Sequence, residues 1–200
     1  EAKVTSDGEL LLKGPNVAVG YYKRQQATAK TWEADGWLHT GDLAEIDEKG
    51  FLKIKGRKKD LIVIKNGENI APIPIEVKLS ASPFIQQAVM AGDSKPYCVA
   101  LIVLEKDAIR AWSESKKIHL TDKYEESKEV YTLIKAEIRK VNASLAPHEV
   151  IRDFKIVEEA FSIENGFLTP TMKVKRSKVL DYYSKEISLL YSSNDLDKII

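Results

Sequence analysis

The first sixty residues alternate short apolar runs with turn residues, a pattern typical of strands. Three of these runs predict strands, at residues 9–13, 42–46 and 51–55. The last two flank the polar turn 47–50, so we expect a hairpin, and the strict alternation of its second arm predicts one buried face. Residues 25–33 are rich in Ala, Thr and Lys and predict a short helix that ends before Asp35-Gly36.

From residue 61 onward, strand and helix patterns are mixed. Predicted strands occupy the apolar runs 61–64, 85–91, 97–104 and 154–157. Predicted helices occupy a segment that begins at Pro72 and the segments 106–115, 125–145 and 177–191. The clearest helix is 125–145, where Val130, Ile134 and Ile138 belong to an apolar stripe of helical spacing. This mixture predicts an α+β fold with a small antiparallel or mixed sheet flanked by helices.

A break in the pattern between Gly56 and Asp60 predicts a domain boundary. The strand pattern ends at Gly56, and the residues that follow form a short charged connection. We therefore divide the chain into a β-rich segment, 1–56, and an α+β segment, 57–200.

Composition excludes several classes of protein. The chain has 200 residues, 44% of them hydrophobic and 30% charged, which is typical of a globular protein. Its net charge of +1 gives no reason to expect a nucleic acid as partner. The lone cysteine, Cys98, lies in an apolar run, so we expect a small buried side chain. A single cysteine cannot form a disulfide within the chain, which fits a reducing cytoplasm. The apolar run is about half as long as a membrane span requires. The histidines are too scattered for a zinc site: His39, His119 and His148.

Two charged residues beside glycines are candidates for binding a sugar or a phosphate. Asp42 follows Gly41 at the mouth of a predicted strand, where a carboxylate can accept hydrogen bonds from two neighbouring hydroxyls. The alternative is a turn aspartate that caps the strand entry. Arg57 offers a planar fork of donors to ribose or phosphate oxygens, or else is one of a run of solvated cations, as we expect of Lys58.

Two further segments could carry chemistry. The residues Asn66-Gly67-Glu68-Asn69 tolerate positive φ and predict a tight turn. Lys173 lies in a loop before the last predicted helix, and its ammonium could meet a carboxylate and phosphate oxygens together. Lys175 is the rival candidate. Glu76 is expected to be structural, in the first turn of the helix that begins at Pro72, where the helix dipole favours an acid.

Five motifs in fixed order resemble the carboxyl-terminal signature of AMP-forming acyl-CoA synthetases, members of the adenylate-forming superfamily. They cover residues 8–22, 36–43, 56–60, 65–70 and 168–176. Residues 71–76, Ala-Pro-Ile-Pro-Ile-Glu, resemble the long-chain fatty acyl branch. The last motif also resembles that branch, because Met172 takes the position of a glycine that many other members carry.

The resemblance implies a role for each matched residue. Asp42 and Arg57 would hold the ribose of ATP, and Lys173 would act in adenylate formation. Lys175 could instead meet phosphates of coenzyme A. Lys59 would be the hinge of a mobile domain.

The matched turn would act in the second half of the reaction. In the family, the loop at Gly67 and Glu68 lines the channel for the pantetheine arm of coenzyme A. The implied reaction joins a fatty acid to ATP, giving an acyl adenylate and pyrophosphate, with Mg²⁺ accompanying ATP. The thiol of coenzyme A then displaces AMP.

The resemblance also implies that this chain is part of a larger enzyme. Segment 1–56 would end the large amino-terminal domain, and segment 57–200 would be its mobile lid. The phosphate-binding loop and the acyl pocket are expected upstream of Glu1, so the chain alone is expected to be inactive. The parent enzyme is expected in the cytoplasm, with association at a membrane surface as an option.

Two other hypotheses about function stay open. One is an acyl-carrier-protein synthetase or another adenylate-forming enzyme, since a protein-borne pantetheine uses the same arm as coenzyme A. The other is a non-catalytic interaction module that retains the fold.

Overall fold

A computed structural model describes residues 1–121 and 123–192. It divides into two compact units, Glu1–Leu61 and Ile62–Ile200. The boundary expected after residue 56 lies shortly before this division, and the functional boundary stays a prediction. Residues 193–200 of the expected lid domain lie outside the described residues.

The first unit is built on a four-stranded antiparallel sheet in the order β1-β2-β3-β4. Its elements are β1 (Ala2–Val4), β2 (Glu9–Leu12), α1 (Gln25–Thr31), β3 (Leu38–Ile46) and β4 (Leu52–Arg57). The predicted first strand, helix and hairpin are confirmed. However, β3 begins at Leu38, so Asp42 lies inside a strand and not at its mouth.

The alternation in the second arm of the hairpin predicted one buried face, and this prediction is wrong. Leu52 and Ile54 are 42% and 52% exposed. Within the described residues, β4 is an edge strand with a neighbour on one side only, and the small core of this unit gathers around β2, at Leu10 and Leu11. The alternation was present, but the apolar face that it marks is not covered within this unit.

The second unit contains a two-stranded hairpin and a three-stranded mixed sheet in the order β7-β8-β9. Its strands are β5 (Ile62–Val63), β6 (Asn69–Ile70), β7 (Ile85–Ala91), β8 (Cys98–Leu104) and β9 (Ile151–Val157). Its helices are α2 (Pro72–Ser80), α3 (Lys106–Lys116), α4 (Lys128–Asn142), α5 (Arg176–Tyr182) and α6 (Ser184–Ser192). Because β7 pairs antiparallel and β9 pairs parallel with β8, the expected α+β class with a mixed sheet is confirmed.

Strand β8 forms the centre of the second unit, and every one of its residues is buried. Ala100 and Ile102 face a core formed with α2, α3 and α4. Val99, Leu101 and Val103 face a second core formed with α5 and α6. Successive side chains of a strand point to opposite faces, so a strand covered on both faces needs an unbroken apolar run. The buried position expected for Cys98, in this run, is confirmed.

Two predicted helices differ from the observed ones for local reasons. The helix expected over 125–145 begins at Lys128, because the Ser127 hydroxyl accepts a hydrogen bond from the Val130 N–H at 3.3 Å and caps the helix there. The single helix expected over 177–191 is divided at Tyr183, which leaves helical geometry at φ −92° and ψ 20°. Tyr183 packs in the core between α5, α6 and the sheet.

Glu76 is structural, as expected, but for a different reason. It lies beyond the first turn of α2, which contains no acid. Its two carboxylate oxygens accept hydrogen bonds from Arg176 Nη2 at 2.7 and 2.6 Å, and one of them also accepts from the Met90 N–H at 2.6 Å. Arg176 Nη1 donates to the Met90 carbonyl at 3.0 Å. This ion pair joins α2, β7 and the start of α5.

Replacing Arg176 by methionine should destabilise the chain by about 3–5 kcal/mol. The side chains of Arg176 and Glu76 are only 16% and 13% exposed, and removing one partner of a nearly buried pair leaves the other charge uncompensated. Equilibrium urea unfolding, followed by circular dichroism, measures the change.

The matched control is the double variant Glu76→Gln with Arg176→Met. It removes both charges and keeps an acceptor for the Met90 N–H, so it should regain part of the lost stability. A single variant that lost less than about 1 kcal/mol, the value of an exposed pair, would contradict this account of the ion pair.

Candidate functional site

Asp42 and Arg57 lie opposite each other on β3 and β4. Arg57 Nε lies 2.9 Å from Asp42 Oδ1, and Arg57 Nη2 donates to the Thr40 carbonyl at 3.2 Å. Both side chains remain partly exposed. The sequence suggested each residue separately, and the structure brings them together as one site with a carboxylate and a guanidinium side by side.

Gly41 is required between Thr40 and Asp42 for two reasons. Its φ is +71°, a region that is costly for a residue with a Cβ. A Cβ there would also lie only 3.2 Å from Arg57 Nη2. The glycine thus permits both the local backbone shape and the position of the guanidinium.

The Glu9 carboxylate accepts a hydrogen bond from this turn, although the sequence pattern did not predict a site residue at this position. Its side chain is 10% exposed. Glu9 Oε1 accepts from the Gly41 N–H at 3.1 Å, and Oε2 lies 3.3 Å from His39 Nδ1 and 3.1 Å from Lys58 Nζ. Burial alone would raise the pKa of Glu9, but the hydrogen bonds from Lys58, His39 and Gly41 outweigh it and lower that pKa. The signal in the sequence was an acid that begins the apolar strand Glu9-Leu10-Leu11-Leu12.

Lys58 is exposed, as its charge run suggested, but it also pairs with two acids. Lys58 Nζ lies 2.8 Å from Asp7 Oδ2 and 3.1 Å from Glu9 Oε2. Its hydrogen bond lowers the pKa of Asp7 to about 2, while the bonds to Asp7 and Glu9 raise the pKa of Lys58. The charge run did not indicate these ion pairs, because Asp7 and Glu9 lie far from Lys58 in the sequence.

Lys59 lies in a short 3-10 turn, Lys58–Asp60, that directly follows β4. It is exposed, and the first compact unit ends at Leu61, just after this turn. The position is therefore at the end of one unit, and the hinge role of Lys59 stays a prediction.

The predicted turn at residues 66–69 closes the hairpin of β5 and β6. Gly67 has φ +87° and donates its N–H to the Ile64 carbonyl at 2.8 Å. The Asn66 side chain accepts from the Glu68 N–H at 3.2 Å. A Cβ built on Gly67 would meet no atom within 4 Å, so the surface over this turn is open.

A neighbouring loop supports this hairpin from the side. The Val63 N–H donates to Asp93 Oδ1 at 3.1 Å, and the Val63 carbonyl accepts from the Ser94 N–H at 2.8 Å. The Lys65 N–H donates to the Lys95 carbonyl at 2.8 Å. The open turn at Gly67 is therefore carried on a hairpin whose stem is hydrogen-bonded on both sides.

Lys173 is exposed on a compact turn before α5. Leu168 and Val174 form an isolated antiparallel bridge at the base of the turn. Within it, the Thr169 N–H donates to the Lys173 carbonyl at 2.8 Å, and Thr169 Oγ1 accepts from the Lys173 N–H at 3.0 Å. The lysine ammonium is thus presented to solvent from a backbone that is fixed at both ends.

Met172, in the same turn, has φ +61° and is 67% exposed. This is the left-handed region in which glycine carries no steric cost. The observation gives a physical reason why a glycine would suit this position, and it shows that the methionine is accommodated there with its side chain in solvent.

Lys175 directly precedes α5, and its N–H donates to the Phe167 carbonyl at 2.8 Å. Its side chain is exposed, as is that of Lys173. The next residue is Arg176, which the pair with Glu76 holds in place. The geometry therefore keeps both lysines as candidates on one surface.

Other features carry no chemistry of their own. Burial raises the pKa of the Cys98 thiol to about 12. In residues 1–121 and 123–192, no group of three His, Cys, Asp or Glu side chains could hold a metal ion. None of the helices described is long and apolar enough to cross a membrane.

Comparisons with known sequences and structures identify proteins to which this chain is similar. Residues 59–195 match the sequence model of the AMP-binding enzyme C-terminal domain. The chain is 39% identical over 194 residues to long-chain-fatty-acid--CoA ligase FadD15 of Mycobacterium tuberculosis, covering 95% of this chain and 32% of that protein. It is 36% identical over 192 residues to long-chain-fatty-acid--CoA ligase 6 of Rattus norvegicus, covering 93% and 27% respectively. The chain thus spans a third or less of the length of these curated relatives.

A similar solved structure is the A domain of carboxylic acid reductase from Segniliparus rugosus, in complex with AMP and a co-purified carboxylic acid. The TM-score is 0.78 at 29% identity, and the match covers 92% of this chain and 28% of that one.

The conformation of Met172 predicts a difference between two substitutions. Met172→Gly relieves the left-handed backbone but adds freedom to the unfolded chain, so its stability should stay within about 1 kcal/mol of the parent chain. Met172→Val places a β-branched residue at positive φ and should be less stable than Met172→Gly by about 1–2 kcal/mol. Urea unfolding of the three chains tests this, and equal stability of the valine and glycine variants would contradict it.

Proposed function

This chain belongs to the family of AMP-binding enzyme C-terminal domains, and we propose that it is the carboxyl-terminal part of an AMP-forming long-chain fatty acid–CoA ligase. The observation that carries the proposal is the close pair of Asp42 and Arg57, in one chain with the exposed lysine turn at 168–174. In the first step a carboxylate oxygen attacks the α-phosphorus of ATP and pyrophosphate leaves. In the second step the thiolate of coenzyme A attacks the acyl carbonyl and AMP leaves.

Asp42 and Arg57 bind the ribose of ATP in this proposal. One carboxylate oxygen of Asp42 is engaged by Arg57, and the carboxylate has lone pairs on both oxygens left to accept from two hydroxyls. The guanidinium beside it keeps donors for ribose or phosphate oxygens. Since both side chains are partly exposed, a ligand can reach them without displacing a buried group.

Lys173 acts in the first step. Its ammonium neutralises charge that develops on the carboxylate and phosphate oxygens as the new bond forms. Support comes from the turn that carries it, because hydrogen bonds to Thr169 fix the backbone on both sides of the lysine. A fixed backbone limits the reorganisation that a charged group must undergo during the reaction.

Gly67 and Glu68 line the path of the pantetheine arm in the second step. The open surface over Gly67 supports this, since a thin extended ligand can approach a backbone that has no Cβ. Lys59 is the hinge that exchanges the two surfaces, and its place at the end of a compact unit supports that role. Mg²⁺ enters with ATP, and no residue of this chain is assigned to hold it.

The two alternatives have no better support from the comparisons. An acyl-carrier-protein synthetase would share the first step and differ only in the acceptor thiol. A non-catalytic module would have no need to keep the Asp42–Arg57 pair beside an open surface. The cytoplasmic location and the association with a membrane surface stay predictions.

Asp42→Ala in the full-length gene product should raise the KM for ATP and reduce discrimination against 2′-deoxy-ATP. A hydrogen bond to a charged group contributes about 1.5–3 kcal/mol, which corresponds to roughly ten- to hundredfold in kcat/KM. Steady-state kinetics with both nucleotides measure the ratio. If parent and variant discriminate equally, Asp42 does not bind the ribose.

Lys173→Ala should slow adenylate formation by about 10²–10³, the usual cost of removing one preorganised group at a developing charge. Thioester formation from supplied acyl adenylate should fall less, because the lysine has then completed its role. Fatty-acid-dependent exchange of pyrophosphate into ATP measures the first step separately. Lys175→Ala is the matched control, and an effect on exchange in that variant alone would transfer the role to Lys175.

A further inference from the structure

The strand β3 bulges where it carries the Thr40-Gly41-Asp42 turn. Opposite β2, Glu9 pairs with Leu43 and Leu11 pairs with His39, so two steps along β2 (9 to 11) correspond to four along β3 (39 to 43). Extra residues in one strand interrupt the ladder, and bulges of this kind re-aim side chains near functional sites. On the side of β2, the turn that carries Asp42 therefore lacks regular strand pairing, whereas on its other side Asp42 pairs with Arg57 of β4.

Two side chains supply the hydrogen bonds that the ladder does not. Glu9 Oε1 accepts from the Gly41 N–H at 3.1 Å. The Thr40 hydroxyl donates to the Leu10 carbonyl at 2.8 Å and accepts from the Asp42 N–H at 3.0 Å. An unpaired backbone group in a partly buried strand is costly, so these side chains stabilise the bulge in one conformation.

The other oxygen of Glu9 contacts the turn that directly follows the strand carrying Arg57. Glu9 Oε2 lies 3.1 Å from Lys58 Nζ, and Lys58 directly follows Arg57 in the chain. The same oxygen lies 3.3 Å from His39 Nδ1, and His39 Nε2 lies 3.2 Å from Glu33. One carboxylate thus contacts the segments on either side of the Asp42–Arg57 pair.

We propose, on the basis of the proposed function, that Glu9 is a positioning residue for the ribose-binding pair. It does not touch the nucleotide. Its hydrogen bond to the Gly41 N–H fixes the orientation of the neighbouring Asp42. Its contact with Lys58 fixes the end of β4, where Arg57 lies. An apolar residue at this buried strand position could not accept hydrogen bonds from the Gly41 N–H and Lys58, whereas a carboxylate accepts both. The hydrogen bonds that outweigh burial lower the pKa of Glu9 and so favour its ionised form.

Glu9→Gln in the full-length gene product tests the inference. The amide retains the size of the side chain and one acceptor, but its NH₂ group then faces the donors of Lys58 or Gly41. We expect kcat/KM for ATP to fall by roughly tenfold, the loss of one hydrogen bond to a charged group. The ratio of kcat/KM for ATP to that for 2′-deoxy-ATP should also fall, because the orientation of Asp42 is no longer fixed.

Asp7→Asn is the matched control. Asp7 also pairs with Lys58, at 2.8 Å, but the described contacts of Asp7 do not include Gly41. We expect this variant to change kcat/KM and the discrimination by less than about twofold, as is usual for an exposed pair. A loss in Asp7→Asn equal to that in Glu9→Gln would overturn the assignment to Glu9.

Amide hydrogen exchange of this chain gives a readout that is independent of activity. In Glu9→Gln the Gly41 N–H should exchange roughly tenfold faster, as expected for the loss of one hydrogen bond to a charged group. The Leu101 N–H, in the core of the second unit, should be unchanged. Unchanged exchange at Gly41, or equal acceleration at Gly41 and throughout β2, would overturn the positioning role.

The two proposals fail in different ways. If Asp42→Ala retains discrimination against 2′-deoxy-ATP, the ribose role fails, and the positioning role fails with it. If Asp42→Ala loses discrimination while Glu9→Gln keeps it, only the positioning role fails.

Discussion

Three candidate sites share one physical constraint, a backbone held at positive φ. Gly41, Gly67 and Met172 have φ of +71°, +87° and +61°. In each case a nearby side chain accepts a hydrogen bond from a backbone N–H of the turn: Glu9 from Gly41, Asn66 from Glu68, and Thr169 from Lys173. The two glycines adopt this conformation without steric cost, whereas Met172 does not. In all three turns the side-chain acceptor favours a single conformation. The chemistry proposed for Asp42 and Lys173 depends on that support.

The second unit gives two of these turns a common scaffold. Strand β8 is covered on both faces, so α2 packs on one side of the sheet and α5 on the other. Arg176 and Glu76 join the start of α5 to α2 through a nearly buried ion pair. Since α2 follows the Gly67 turn and α5 follows the Lys173 turn, one rigid framework carries both surfaces that the proposed reaction uses.

The sequence predicted the elements better than the contacts between them. Periodicity predicted most strands and helices but not β1 and β6. The motifs pointed to Asp42, Arg57 and Lys173, whose roles stay predictions. Periodicity could not predict that the last helix is divided at Tyr183, because this division depends on tertiary packing. The sequence also did not predict the ion pair between Lys58 and Glu9, because these two residues are far apart in the chain. Contacts across such distances are set by strand register, and the bulge in β3 makes that register irregular.

The central claim is that the parent protein activates a carboxylate as an acyl adenylate. The most direct test supplies the full-length gene product with a long-chain fatty acid labelled with heavy oxygen in its carboxylate, together with ATP, Mg²⁺ and coenzyme A. Adenylate formation joins a carboxylate oxygen to the α-phosphorus, so mass spectrometry should find the label in AMP, with one acyl-CoA formed for each AMP. Unlabelled AMP, or ADP and phosphate in place of AMP and pyrophosphate, would contradict the account.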